Sequence, residues 1–351
     1  MLSFVYQILP SRVIFGAGCL EKLPEEIQRL GASKALLLST PEQRQAGLEM
    51  VERLGSRAVG LFDHAVMHVP IETAQAAREE AKRLGADCCV AVGGGSTTGL
   101  AKAIALVSDL PILAVPTTYA GSEMTPIWGL TEKGRKTTGR DPRVLPKTVL
   151  YDPWLTVTMP PMLSATSGMN SIAHCVEALY AQEANPIILM MAEDGIRALA
   201  ESLPVVVKEP ANLEARSQAL YGAWLGGIAL GTVGMALHHK LCHTLGGTYN
   251  LPHAETHTVV LPHATAYNAS ATPEAMARVA RALRASSAAE GLYDLAASLG
   301  APLSLAAIGM KAADLDQAAD IAVQNPYYNP RPITREGIRD LLQNAFEGRR
   351  P

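Results

Sequence analysis

The sequence predicts two domains of different class, an α/β dinucleotide-binding half over residues 1–155 and an all-helical substrate and catalytic half over residues 156–351. Three observations carry that reading. The chain has 351 residues, too long for one compact core and suited to two domains of roughly 100–200 residues each. Up to Pro116 short β-rich runs alternate with helical periods, and from Pro161 onward the sequence turns Ala- and Leu-rich with helical periods only. Two domains imply a cleft, the expected place for an active site.

KALLLST, AVGLFDHA, CCVAVGGGS and PILAVPTT read as buried strands, each a short apolar run ended by Gly, Pro, Ser or Thr. Between them PEQRQAGLEMVERLG, PIETAQAAREEAKRLG and STTGLAKAIALVSD place apolar residues at helical spacing. Such alternation builds a parallel sheet with helices on its faces. The polar, Gly- and Pro-rich stretch from Met124 to Pro153 reads as an excursion such as a hairpin. The change of composition after it sets the domain boundary near residue 155.

Hydrophobic residues make up 48% and charged residues 18%, an ordinary globular balance. The net charge of −3 and the lack of a basic block argue against nucleic acid as a partner. No apolar run reaches the roughly 18–20 residues needed to cross a bilayer, and the N-terminus lacks a charged leader, so no membrane association and a cytoplasmic location are expected. The cysteines, Cys19, Cys88, Cys89, Cys175 and Cys242, are odd in number and mostly set in apolar segments, which fits reduced core thiols.

Gly93, Gly94, Gly95 and Ser96 fall between a buried strand and a helix. Glycines permit positive φ and close backbone approach, and the free N–H groups of a helix start attract a phosphate. The turn is neither G-x-G-x-x-G nor a P-loop. A second polar loop, with Thr117, Thr118, Tyr119, Gly121 and Ser122, follows the next strand at the same carboxyl edge, where ligands of open α/β sheets collect. Together they form the expected cofactor site. Trp128 and Tyr119 are read as packing residues rather than ring-stacking ones.

Six of the nine histidines lie between His238 and His263. In a helix His239 and His243 share a face while His238 points roughly 100° away. His253 follows an Asn-Leu-Pro turn, and upstream Asn170 and His174 repeat the i, i+4 spacing. Two such pairs on apolar helices suit an interhelical metal or proton-transfer site. His174, His239, His243 and His253 are therefore the expected catalytic set. His64, His68, His238 and His263 read as ordinary core or surface residues, and His257 is open.

With the glycine turn, the TTYAGSE loop and this histidine spacing, the chain resembles the iron-containing alcohol dehydrogenase family from about Phe15 in FGAG to the NPRP segment ending at Pro332. The resemblance implies a dehydroquinate synthase-like fold, with an α/β nucleotide-binding domain and an all-α C-terminal domain, assembled as a homodimer. It implies that Asn170, His174, His239 and His253 occupy the positions of the family's metal ligands, where an Asp stands in place of Asn170, and that His243 lies near the reaction centre. Within the family GMNSIAHCVEALY and GGGSTTGLAKAIAL look like the maleylacetate reductases, which reduce a C=C bond of that dicarboxylate to give 3-oxoadipate with NADH or NADPH.

A neutral amide at the carboxylate position weakens a cation site, so no metal is expected, with a metal-dependent alcohol or polyol dehydrogenase as the alternative. Asn170, Lys240 and Arg331 are the expected substrate-binding residues, with Lys102 a further cation. Ser39, ending KALLLST, is expected beside the cofactor ribose. Because neither it nor Thr40 carries charge, both NADH and NADPH are expected to serve, unless the turn folds Glu42 back.

Overall fold

The computed structural model describes residues 4–133, 135–324 and 327–351. It divides into two compact units, one of Ile8–Thr158 and one of Met159–Pro351 together with the residues before Ile8.

The first unit carries β1 (Arg12–Phe15), α1 (Leu23–Arg29), β2 (Ala35–Leu38), α2 (Arg44–Leu54), β3 (Ala58–Phe62), α3 (Ile71–Leu84), β4 (Cys88–Gly93), α4 (Gly95–Ser108), β5 (Ile112–Pro116), β6 (Ile127–Glu132), β7 (Arg135–Arg140) and β8 (Thr148–Tyr151). Six strands form a parallel sheet in the order β1-β8-β5-β4-β2-β3, and β6 pairs with β7 as the antiparallel hairpin of the excursion. All four expected strands and the three helices between them form. The strands β1 and β8 were not anticipated: each has four residues, too few to show a period, and β8 is completed only by its neighbours β1 and β5.

Parallel strands are covered on both faces, so they read as unbroken apolar runs. Alternate side chains go to opposite cores. Leu36, Leu38, Cys89 and Ala91 join Ala74, Ala77, Leu100 and Ile104 of α3 and α4. Leu37, Cys88, Val90 and Val92 join Leu23, Ile27, Met50 and Leu54 of α1 and α2. All five cysteines are buried and free.

The second unit is helical: α5 (Pro161–Ala178), α6 (Pro186–Lys208), α7 (Leu213–Thr232), α8 (Leu237–Tyr249), α9 (His253–Asn268), α10 (Pro273–Leu283), α11 (Ala288–Ser298), α12 (Leu315–Ala322) and α13 (Arg335–Glu347). Among the described residues no single helix is long and apolar enough to cross a membrane. Every residue from Ser164 to Ala178 of α5 is buried, as befits a helix packed on all sides, here by α6, α7 and α9. Small residues allow that packing. A Cβ on Gly226 of α7 would lie 2.9 Å from the Ser171 carbonyl oxygen of α5, and one on Gly222 would lie 3.0 Å from the Gly195 carbonyl oxygen of α6. A second core joins α8, α9, α12 and α13 through Leu241, Leu245, Val260, Leu315 and Leu342.

Two expectations about stability follow from this packing. Gly226→Val must push α7 off α5, so it is expected to cost about 2 kcal/mol or more and to lower the melting temperature by about 4 °C or more, read by calorimetry. His263 of α9 is 4% exposed, and burial lowers its pKa from 6.5 to about 4. The unfolded chain takes up that proton below about pH 6.5, whereas the folded chain refuses it until about pH 4. Its contribution is thus complete above about pH 6.5 and is lost as the pH falls through that window, by up to about 3 kcal/mol. Urea denaturation across pH 4–7 is expected to show a shallower decline for His263→Leu than for the parent.

Candidate active site

In the first unit, Gly93 ends β4 at φ 147°, in the region that favours glycine. A Cβ there would meet the Gln43 Oε1 at 2.6 Å, and one on Gly94 would meet the Thr118 Oγ1 at 2.7 Å. The glycine turn and the loop after β5 are thus brought together, and the Thr117 N–H donates to the Gly93 carbonyl at 3.0 Å. Gln43 Nε2 donates to Thr117 Oγ1 at 2.7 Å. Gly94 caps α4 without a side-chain hydrogen bond, and Gly95 and Ser96 open the helix. Their N–H groups and the positive end of the helix make an anion cradle.

Lys102 is buried in α4, and its Nζ donates to the Ser122 carbonyl at 2.7 Å, the Ile127 carbonyl at 2.8 Å and Thr125 Oγ1 at 2.9 Å, with Ser122 Oγ at 3.3 Å. Burial pulls its pKa down to about 7, opposed by the Glu123 carboxylate. Its charge therefore serves the loop 122–127, which corrects its reading as a cation for substrate. Beside it the Tyr151 hydroxyl donates to Glu123 Oε1 at 2.8 Å. Trp128 packs on the α3 and α4 face and across from Gly139 in the hairpin, and Tyr119 is fully buried.

Ser39 is fully buried, with Gly47 of α2 packed over its hydroxyl. Glu42, in the turn after β2, has its carboxylate held low in pKa by its own backbone N–H and by the Thr40 hydroxyl.

In the second unit α5 supplies Asn170, His174 and Glu177, α8 supplies His238, His239 and His243, and α9 supplies His253 and His257. Asn250 ends α8 in the left-handed region at φ 54°, and Pro252 precedes α9, so the Asn-Leu-Pro turn returns the chain at once. His174 stacks on His239 with ring centroids 5.1 Å apart. His257 lies 4.9 Å from His239 and 4.3 Å from His253, and His243 lies 6.2 Å from His239. All four expected histidines thus join one cluster.

The cluster also takes in three residues the sequence reading did not assign to it. His238 Nε2 and His257 Nδ1 share a proton across 2.9 Å, and one ring nitrogen from each of His238, His239 and His257 fall within 4.8 Å of one another. Glu177 is fully buried and lies 2.7 Å from His239 Nδ1. Burial, and then the neighbouring imidazoles, hold His174, His238 and His257 well below the ordinary histidine pKa. They are neutral at physiological pH, each with one ring nitrogen to donate a hydrogen bond and one lone pair to accept or ligate.

One of the expected substrate cations is elsewhere. Arg331 stacks 4.2 Å over the Tyr267 ring and donates to the Tyr267 carbonyl at 2.9 Å. Tyr267 is fourteen residues beyond His253 on α9, about 20 Å along the axis, so Arg331 is not brought to the histidines. Lys240 places its ammonium 5.5 Å over the Tyr327 ring.

A model described as "Iron-containing alcohol dehydrogenase" matches residues 10–153, and one described as "Fe-containing alcohol dehydrogenase family, C-terminal" matches residues 164–346. The chain is 60% identical to a maleylacetate reductase of Burkholderia cepacia over 351 residues, all of both chains. The crystal structure of maleylacetate reductase from Agrobacterium tumefaciens matches at a TM-score of 0.97 and 55% identity, covering 100% of both chains. That of an iron-containing alcohol dehydrogenase from Corynebacterium glutamicum matches at 0.95 and 45% identity, covering 99% of this chain and 98% of the other.

These matches overturn the expectation of no metal, because they place both halves in an iron-containing family. The residues present fit such an ion. Asn170 Oδ1, His174 Nδ1, His239 Nε2 and His257 Nε2 are buried with no hydrogen-bond partner among the described residues, and imidazole nitrogen suits divalent iron or zinc. The expectation failed because it weighed one ligand position and missed the further imidazoles and the carboxylate behind His239. Asn170→Asp adds a charged oxygen to this neutral set and is expected to tighten Zn²⁺ binding about tenfold or more, measured by chelator competition.

Proposed function

The chain belongs to the iron-containing alcohol dehydrogenase family, and from that membership we propose that it reduces the C=C bond of maleylacetate to 3-oxoadipate with NADH or NADPH, in the catabolism of aromatic compounds. The observation that carries the proposal is identity of 49–60% over essentially the full chain to several proteins of that activity. The reading as an alcohol or polyol dehydrogenase rests on the family match alone.

The cofactor's pyrophosphate is assigned to Gly93, Gly94, Gly95 and Ser96, with Thr117, Thr118 and Ser122 beside it. Hydride from the nicotinamide adds to the alkene carbon β to the ketone, and the electron pair of the double bond moves to the ketone oxygen as an enolate. A proton then reaches the α carbon, so one hydride and one proton are taken up and the cofactor leaves oxidised. His243 or His253 hydrogen-bonds the developing oxyanion or delivers the proton, a role suited to imidazole near neutral pH. His174, His239 and Asn170, with His253 or His257, would hold the family's metal, which supplies Lewis acidity to a carbonyl oxygen when bound. Lys240 remains the assigned cation for a substrate carboxylate. The chain is further assigned to the cytoplasm and to a homodimer, the latter supported by the exposed apolar side chains of Phe4, Val5 and Ile8.

NADH depletion with maleylacetate tests the proposal. Turnover with release of 3-oxoadipate is expected, and His243→Ala and His253→Ala are each expected to lower kcat about 100-fold or more. Absence of turnover, beside turnover of simple alcohols, would assign the chain to the other chemistry. Both cofactors are expected to work, with kcat/KM values within about 30-fold, a difference of roughly 2 kcal/mol. Glu42 carries the carboxylate of the turn after β2, and a carboxylate there disfavours a 2′-phosphate, so Glu42→Gln is expected to raise the NADPH to NADH ratio of kcat/KM several-fold.

A further inference from the structure

Glu177 is a carboxylate with no exposed surface, in a helix buried from Ser164 to Ala178. A charge in that position persists only if hydrogen bonds replace its water. The described ones come from the start of α8. Glu177 Oε1 accepts the His238 N–H at 2.8 Å, and Oε2 accepts the Ala236 N–H at 2.9 Å and the His239 N–H at 3.4 Å. The remaining bond, 2.7 Å from Oε2 to His239 Nδ1, is shorter than any of these. An ionised carboxylate only accepts, so the proton of that bond belongs to Nδ1. Nε2, on the opposite side of the ring, is then left with its lone pair. It is buried with no hydrogen-bond partner among the described residues.

Among the described hydrogen bonds, His238, His257 and His174 do not share this constraint. His238 and His257 bond one another through Nε2 and Nδ1, an arrangement that either ring satisfies as donor. His174 meets His239 by stacking. Only His239 has its tautomer dictated by a charged acceptor among the hydrogen bonds described above.

We propose that Glu177 is the positioning residue of this site: it holds the start of α8 and the His239 ring with one carboxylate, and so fixes His239 as the Nδ1–H tautomer with Nε2 as the acceptor offered to a divalent cation. The inference rests on the assignment of the histidine cluster as the active site and is independent of which substrate that site reduces. Removing the charge while keeping the shape, as in Glu177→Gln, leaves an amide whose NH₂ must face either the backbone N–H groups or Nδ1. The tautomer then loses its determinant. Partners of this kind behind a metal-binding histidine affect affinity by about 10- to 100-fold.

The test uses protein labelled with ¹⁵N at histidine, with His239 assigned by its loss in His239→Gln. Long-range ¹H–¹⁵N spectra distinguish a protonated from an unprotonated ring nitrogen. In the parent protein His239 is expected to be protonated at Nδ1 alone. In Glu177→Gln the two nitrogens are expected to move toward a mixture of tautomers, and the affinity for Zn²⁺, measured by chelator competition, is expected to fall about 10- to 100-fold. An Nε2–H tautomer in the parent would overturn the proposal without recourse to any variant. It would equally be overturned by a Glu177→Gln protein that melts lower but keeps both the tautomer and the Zn²⁺ affinity, since the carboxylate would then serve only the helix start. Neither readout depends on maleylacetate turnover, so failure of the substrate assignment would leave this result standing.

Discussion

A buried carboxylate is among the more costly groups a core can contain, and the helical unit is arranged around one. Glu177 has no water to turn to, so the first N–H groups of α8 must come to it. That requirement fixes where α8 begins, and where α8 begins decides which of its side chains reach α5. His239 follows directly, through its own bond to the same oxygen. His243 follows one turn later, and the short Asn250–Pro252 turn then brings His253 and His257 back to the same end of the helix pair. The approach of α7 at Gly226 and the crossing of α6 and α7 at Gly195 and Gly222 enclose α5 and keep the solvent out. Each step is a packing or hydrogen-bonding consequence of the one before.

The α/β unit depends on a different arrangement. Its strands are short, and what makes them a sheet is that both faces are covered. The same sequence run therefore feeds two cores, Leu37 and Val90 to one side, Leu36 and Ala91 to the other. At the carboxyl ends of β4 and β5 the chain must leave the sheet, and the two exits touch through Gly93, Gly94, Thr117 and Thr118.

Much of this was legible in the sequence where a signal is local. The strands β2 to β5 are runs of four to six residues bounded by punctuation, and Gly93–Gly95 stand where a turn demands them. Helical spacing placed Asn170 with His174, and His239 with His243, on common faces. The missing parts are set by partners distant in sequence. β8 is four residues that become a strand between β1 and β5. His238 was set aside because it points away from His239, yet the direction it points is the one in which α9 places His257. Glu177 sits in an apolar helix with nothing in its neighbourhood to announce it, and its partners are about sixty residues later. The absence of an acidic residue at Asn170 was read as absence of a cation, whereas charge and ligands had been distributed over residues that spacing alone did not connect. Ser39 shows the same limit, since only the fold reveals that α2 covers it.

The Lys102 ammonium makes its bonds to Ser122, Thr125 and Ile127 from inside α4. The helix that starts at the glycine turn and the loop that follows the next strand are therefore one mechanical piece, pinned at a point out of reach of solvent. For protein engineering this defines a unit of exchange. A transplant of the glycine turn alone onto another parallel sheet would arrive without its opposing loop, and a transplant of the loop alone would strand four oxygen atoms around an empty space. The smallest portable cassette runs from the end of β4 to the first residue of the hairpin, and within it Lys102 is the residue that a redesign of the surface can leave untouched.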